Sequence, residues 1–279
     1  MNHAAAHAGP AWTLAVVVAA VLLGAYGGAA AALRSRTGRA WPGHRVACFA
    51  GGALVLGTGL SPVVGDLAGS AARAHMAQHV LLGMVAPLGL VLGAPLTLAL
   101  SVLPVAARRR GAAVLRRRRV RLVVHPLAAG ALHVGGLYAL YLTPLYAATL
   151  TRPGLHAVVL IHFVLAGCLF AWSLVAPEQA ARRPGMGWRV GVLIAASAAH
   201  GYLAKLLYAR AGDLSPGEPH AVSDAQAAAQ WMYYAGDVAE VALAVALFAA
   251  WYRRAGRSAG GGGRAGPLAR RRPDPRLVP

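Results

Sequence analysis

The sequence predicts an all-α, polytopic membrane protein of about seven transmembrane helices, with its amino terminus outside and its carboxyl terminus in the cytoplasm. Three observations predict it. Hydrophobic residues make up 58% of the 279 and charged residues only 13%, too apolar a composition for a chain that must clothe itself in a polar surface. Seven apolar stretches are long enough to cross ~30 Å of hydrocarbon as helices rising ~1.5 Å per residue. The arginines collect in alternate loops, as they do on the cytoplasmic side of a membrane.

The first span runs from Trp12 to Leu33. No Lys or Arg precedes it, whereas Arg34, Arg36, Arg39 and Arg45 follow, the reverse of a cleaved signal peptide, so this span is expected to be retained. The second, Val46 to Leu67, ends outside beside Asp66. The third, Ala74 to Leu103, carries Pro87 and Pro95 and abuts Pro104, which predicts a kink or an early end near Pro95. It delivers the chain to a loop holding Arg108, Arg109, Arg110, Arg116, Arg117, Arg118, Arg119 and Arg121. The fourth span, Leu122 to Ala147, returns outward. The fifth, Leu155 to Val175, leads to Arg182, Arg183 and Arg189; the sixth is Val190 to Tyr208, and the seventh Trp231 to Trp251. The intervening loops hold only Arg73, only Arg152, or Arg210 diluted by Asp213, Glu218 and Asp224. The bias alternates at every crossing, and one miscounted helix would break it.

The chain thus divides into a short external segment, 1–11, a membrane domain, 12–252, and a disordered basic cytoplasmic tail, 253–279. The tail is rich in Gly, Arg and Pro, flexible and attracted to anionic lipid. The net charge of +19 does not signal nucleic acid, because 26 of the 27 basic residues are arginines and they fall in blocks between the apolar runs and in the tail. Cys48 and Cys168, each inside an apolar stretch, make no disulfide framework.

Ionisable groups at membrane depth are costly, so each needs a partner or a task. His75 and His156 lie at the outer edges of the third and fifth spans, His79 about one turn deeper than His75, His162 about 10 Å in and His200 about 12 Å in. Asp237 enters the seventh span at about 9 Å, with Lys205 at comparable depth in the sixth. The outer half is therefore the polar half. His75 and His79, at i and i+4, share a helix face and can bracket a metal ion. The spacing is that of a zinc-peptidase helix, but Met76 stands where the catalytic Glu would be, which argues against hydrolysis. A thioether beside two imidazoles suits copper. The competing reading is that these histidines are hydrogen-bonding glue between helices, and the same two readings apply to His162 and His200. His156 and His162, six positions apart, diverge by about 120° and do not suit one site. Lys205, with Asp237 or Glu240, reads either as a buried ion pair setting how two helices meet or as a proton or cation relay.

The run His75-Met76-Ala77-Gln78-His79-Val80-Leu81-Leu82-Gly83-Met84-Val85-Ala86-Pro87, followed by Val91-Leu92-Gly93-Ala94-Pro95, resembles the hallmark of the CtaG family of cytochrome c oxidase assembly factors, the caa-type group. His162-Phe163 leading to Gly167 and Phe170-Ala171-Trp172 resembles that family's fifth helix. Asp224-Ala225-Gln226 with Met232 and Gly236-Asp237 resembles the start of its last helix, with two departures: Ala225 where Gln is expected and Tyr233 where Trp is expected. The resemblance covers about His75 to Glu240. It implies a non-enzymatic role in maturing a haem-copper oxidase in the bacterial plasma membrane. Its subunits, the lipid bilayer and other copper chaperones are the expected partners.

The expectation from sequence is thus a membrane chaperone that binds copper transiently near its outer face through His75 and His79, with Met76, His162 and His200 as further ligand candidates. Lys205, Asp237, Glu240 and Asp66 are expected to form a buried charge network. The rival readings are a haem-binding electron carrier with axial histidines from facing helices and a small-ion or proton transporter using Lys205, Asp237 and Glu240.

Overall fold

The computed structural model describes residues 3–175, 184–214 and 219–261. Every regular element among them is helical. Prolines punctuate the breaks, as expected of a residue that starts helices well and interrupts them badly. Helix α1 (His3–Thr37) ends on Gly38, whose positive φ of 67° lets its N–H reach the Arg34 carbonyl at 2.8 Å. Helix α2 (Gly43–Leu60) begins after Pro42 and stops before Ser61-Pro62, so the second span ends sooner than the hydropathy suggests. The following residues form the short α3 (Val63–Ala68).

The third span is helical from Ala71 to Leu92 in three pieces: α4 (Ala71–Val80), a π-helical segment (Leu81–Val85) and α5 (Ala86–Leu92). Ser70 caps its start, its side chain accepting from the Arg73 N–H. The expected break near Pro95 falls at Ala94, which adopts φ 52° and ψ 50° before α6 (Pro95–Val102) sets off. Pro95 removes an N–H and disfavours helical backbone at the residue before it, so the helix cannot pass through. The arginine-rich loop folds into α7 (Val105–Leu115) and α8 (Arg118–Val123). Then come α9 (Pro126–Leu142), α10 (Leu145–Thr151), α11 (Pro153–Val175), α12 (Met186–Ala209), α13 (Ala211–Leu214) and α14 (Pro219–Gly261).

The two ends of the chain also differ from expectation. Helix α1 starts at His3, where alanines at 4–6 favour helix over coil, and α14 continues to Gly261. The described part of the segment assigned to a disordered tail is therefore helical, and residues 262–279 lie outside the described residues.

Five helical stretches are long and apolar enough to cross a membrane: Trp12–Thr37, Ala71–Leu92, Pro153–Val175, Met186–Ala209 and Ala221–Arg253. Helix α9 is shorter, at 17 residues, and α2 is diluted by five glycines and a polar first turn. Their outward faces form an apolar belt that includes Leu14, Val21, Leu54, Ile161, Leu165, Ile194, Val241 and Val245. A surface so apolar is suited to lipid.

Contacts fix how the helices run. Tyr26 stacks on Phe49 at 3.9 Å while Gly57 meets Ala15 and Ala19, so α1 and α2 are antiparallel. Gly52 and Gly89 bring α2 and α5 together backbone on backbone; a Cβ at Gly89 would stand 2.8 Å from the Gly52 Cα. Gly136 meets His162 and Gly130 meets Phe170, so α9 and α11 are antiparallel. Tyr138 donates to the Ala199 carbonyl at 2.9 Å while Gly130 meets Val192, so α9 and α12 run parallel. The ends of α1 and α6 are joined by a hydrogen bond from Arg36 to the Val102 carbonyl. At the opposite end of the bundle Arg73 pairs with Asp224.

Candidate metal-binding centre

The histidines cluster toward the end of the bundle opposite the arginine-rich loop. The π-helical segment after His79 inserts an extra residue into the helical turn, a device frequent at functional sites because it re-aims the side chains around it. Within it Gly83 lies under the His79 ring, where a Cβ would stand 3.4 Å away. On the other side, the Gly83 carbonyl occupies the space of a Cβ at Gly167, so α11 can approach only because residue 167 has no side chain.

His79 is driven inward by this packing and is 2% exposed. Its ring meets the edge of Phe163 at 5.0 Å and faces His200 of α12 at 6.0 Å between centroids. His200, also 2% exposed, lies on Gly236 of α14, where any Cβ would overlap its ring. Its Nδ1 stands 3.3 Å from Glu240 Oε1, close enough for an ion pair but without hydrogen-bonding geometry. Neither ring nitrogen of His79 or of His200 has a hydrogen-bond partner. Leaving a buried polar group unsatisfied costs about 1–3 kcal/mol. Of these four atoms only His200 Nδ1 has a charged neighbour, Glu240, and the two rings otherwise face each other across the helix interface.

Below this pair is an enclosed cavity of about 20 Å³, lined by Glu240, His133, Met84, Gly83 and Gly167 among others. His133 stacks on Phe170 at 5.3 Å, and its Nδ1 likewise lacks a partner. His75 points elsewhere although it shares a helix face with His79. Its ring packs edge-on against Tyr146 at 4.9 Å and lies 6.2 Å from His156, and its Nε2 is buried and unpartnered. Met76 faces α9, where its sulfur accepts the Tyr141 hydroxyl at 3.3 Å.

The remaining expected residues separate from this cluster. His162 is half-buried on Gly136 and contacts the Leu132 carbonyl through Nε2 at 3.2 Å. The expected charge network is not assembled among the described residues: Lys205 lies exposed, with its ammonium 5.2 Å from the Tyr233 ring centre, Glu240 turns to His200, and Asp66 sits exposed in α3. Helix azimuth explains the correction, because Lys205 and His200 are five residues apart and emerge from different faces of α12. No group of three or more His, Cys, Asp or Glu poised to hold a metal occurs among the described residues. The arrangement is one of facing pairs. Ring nitrogens held ~2 Å from one ion stand ~4 Å apart, a separation that imidazoles with centroids 6.0 Å apart can present from their rims.

His79 and His200, both named among the copper-ligand candidates, face each other, whereas Glu240, expected with Lys205, lies beside His200, and His133 with the opposed glycines was not foreseen. Gly83, Gly136 and Gly236 were legible signals, since each lies beneath a histidine ring.

A model of the family described as cytochrome c oxidase caa3 assembly factor matches residues 24–254. Among curated proteins, Uncharacterized protein Mb0105 of Mycobacterium bovis and Uncharacterized protein MT0111 of Mycobacterium tuberculosis are each 37% identical over 191 residues. That is 65% of this chain and 28% of theirs. Uncharacterized protein ML1998 of Mycobacterium leprae is 30% identical over 174 residues, 60% of this chain and 26% of its own. The aligned part thus spans little more than a quarter of these relatives' length. No solved structure matches the chain.

Proposed function

Because this chain belongs to the family of cytochrome c oxidase caa3 assembly factors, we propose that it assists copper delivery to a haem-copper oxidase, holding Cu(I) transiently between His79 and His200 in the outer half of a bacterial plasma membrane. The role is that of a non-catalytic chaperone, with oxidase subunits and other copper chaperones as its partners.

In this reading α2 and α9 join the five long apolar helices to make seven spans, with the amino terminus outside. The support is that both run antiparallel to neighbours in that set, and that the arginines of α1, α7 and α8 belong to helix ends on one side. The histidine pair then faces the outer compartment.

The observation that carries the metal reading is the facing of two fully buried imidazoles whose four ring nitrogens have no hydrogen-bond partner. Copper here is cargo rather than a resident cofactor. Two imidazoles without a thiolate favour binding that can be reversed over storage. Glu240 places a carboxylate beside His200, which favours a cation in the pair. A haem would need a slot far larger than the 20 Å³ void beside the pair, and the exposed Lys205 supplies no buried relay for an ion.

The test is metal analysis of the purified protein beside its His79→Ala/His200→Ala variant, with oxidase copper measured in the same cells. The reading expects both copper occupancies to fall. Unchanged occupancy in both overturns it.

A further inference from the structure

The third span carries a second histidine facing a partner, and the inner pair does not account for it. His75 stands one turn before His79 on α4, buried, with Nε2 unpartnered. Across from it, 6.2 Å between ring centroids, is His156 in the first turn of α11. His156 is half-buried and so reaches the surface at the end where the cluster opens. Tyr141 and Tyr146 wall the two rings, at 6.0 and 4.9 Å from His75, and the Tyr141 hydroxyl bonds the sulfur of Met76, the residue between His75 and the deeper turn. The spacing of the two rings closely matches the 6.0 Å of His79 and His200.

We infer that His75 and His156 form a second, outer Cu(I) station that loads cargo from the outer face and hands it one turn down α4 to His79 and His200. The inference rests on the copper reading given above and adds a site to it. Several features of the pair fit a loading role. One ligand is accessible and one is buried, so an ion can be captured at His156 and drawn toward His75. The helical rise between His75 and His79 is ~6 Å, so the two stations lie on successive turns of α4 and the ion moves about one turn between them. The hand-over is an exchange of donors: an imidazole nitrogen of the inner pair bonds the ion as one of the outer pair releases it. The ion stays Cu(I), and no electron or proton changes hands. Tyr141 and Tyr146 line the outer pair, and Met76, whose sulfur accepts the Tyr141 hydroxyl, sets a soft donor in the same turn as His75.

The experiment is an anaerobic titration of the purified full chain in lipid nanodiscs with Cu(I), read by competition with a coloured Cu(I) chelator. Wild type is expected to hold two equivalents, His156→Ala one, His200→Ala one, and the double variant none. His156→Met, which restores a Cu(I) donor, is expected to recover the second equivalent, and monodispersity on size exclusion shows that each variant folds. If His156→Ala holds as much copper as wild type, or wild type holds a single ion that survives His156→Ala, the outer station is overturned while the inner pair stands. Retention of a single ion lost only with His156 supports the outer station and removes the inner one. A wild type that binds no Cu(I) overturns both.

Discussion

The ring of His200 lies in the space that a side chain at Gly236 would occupy. The pairing of His200 with His79 therefore depends on a residue of α14 that has no functional group of its own. Gly236→Ala should push the imidazole aside, at a cost of about 1–3 kcal/mol for overpacking a filled core. We expect a lower unfolding temperature and loss of the Cu(I) bound by the inner pair. Gly191→Ala, where a Cβ meets nothing within 4 Å, is the control and should leave copper unchanged.

Tyr26 ties the arginine-rich end together. Its hydroxyl donates to the Gly93 carbonyl at 2.7 Å, next to the break at Ala94, and accepts from Trp41 Nε1 at 2.7 Å. Tyr26→Phe keeps the stack on Phe49 but strands a buried carbonyl and an indole N–H. A loss of about 1–3 kcal/mol follows, visible as earlier thermal unfolding in detergent with copper binding retained.

Arg73 and Asp224 join the start of α4 to the start of α14, each about one-third exposed. A pair so placed contributes only about 0–1 kcal/mol. In a double-mutant cycle with Arg73→Ala and Asp224→Ala, stability should show a small coupling that fades as salt is raised. A coupling insensitive to salt would mean that the pair sits in a drier setting than its exposure indicates.

His162 contacts the Leu132 carbonyl and rests on Gly136, away from both facing pairs. His162→Ala should leave copper stoichiometry and oxidase copper content at the wild-type level. A drop in either, with the protein folded, would show that the ligand set has been misassigned.

Close crossing of α2 and α5 requires both Gly52 and Gly89, since a Cβ at Gly52 would stand 2.5 Å from the Leu90 nitrogen. Gly52→Leu should abolish accumulation of the folded protein, while Gly51→Leu, where a Cβ meets nothing within 4 Å, should be tolerated. Immunoblots of membrane fractions distinguish the two.

Much of the helical order was legible in the residues themselves. The break at Pro95 and the apolar stretches of α1, α11 and α12 follow from rules acting within a few residues, whereas α9 and α11 start at Pro126 and Pro153 rather than at Leu122 and Leu155. The early end of α2 and the length of α14 were less legible. Hydropathy averages across the turn at Ser61-Pro62, and it cannot distinguish a helix leaving the membrane from a coil.

That this chain is helical and apolar enough for lipid, with its histidines gathered toward one end, can be read from the residues alone. Those properties depend on local chain chemistry and on the solvent around each residue. That His79 meets His200, that His75 turns to His156 and that Lys205 is left without Glu240 emerges only from the packing of the helices. Which side chains meet depends on the azimuth of each helix, and that is set by the π turn at Leu81–Val85 and by glycines that let neighbours approach. The i, i+4 spacing of His75 and His79 reported a shared face; what each histidine faces was settled by helices far away in the chain.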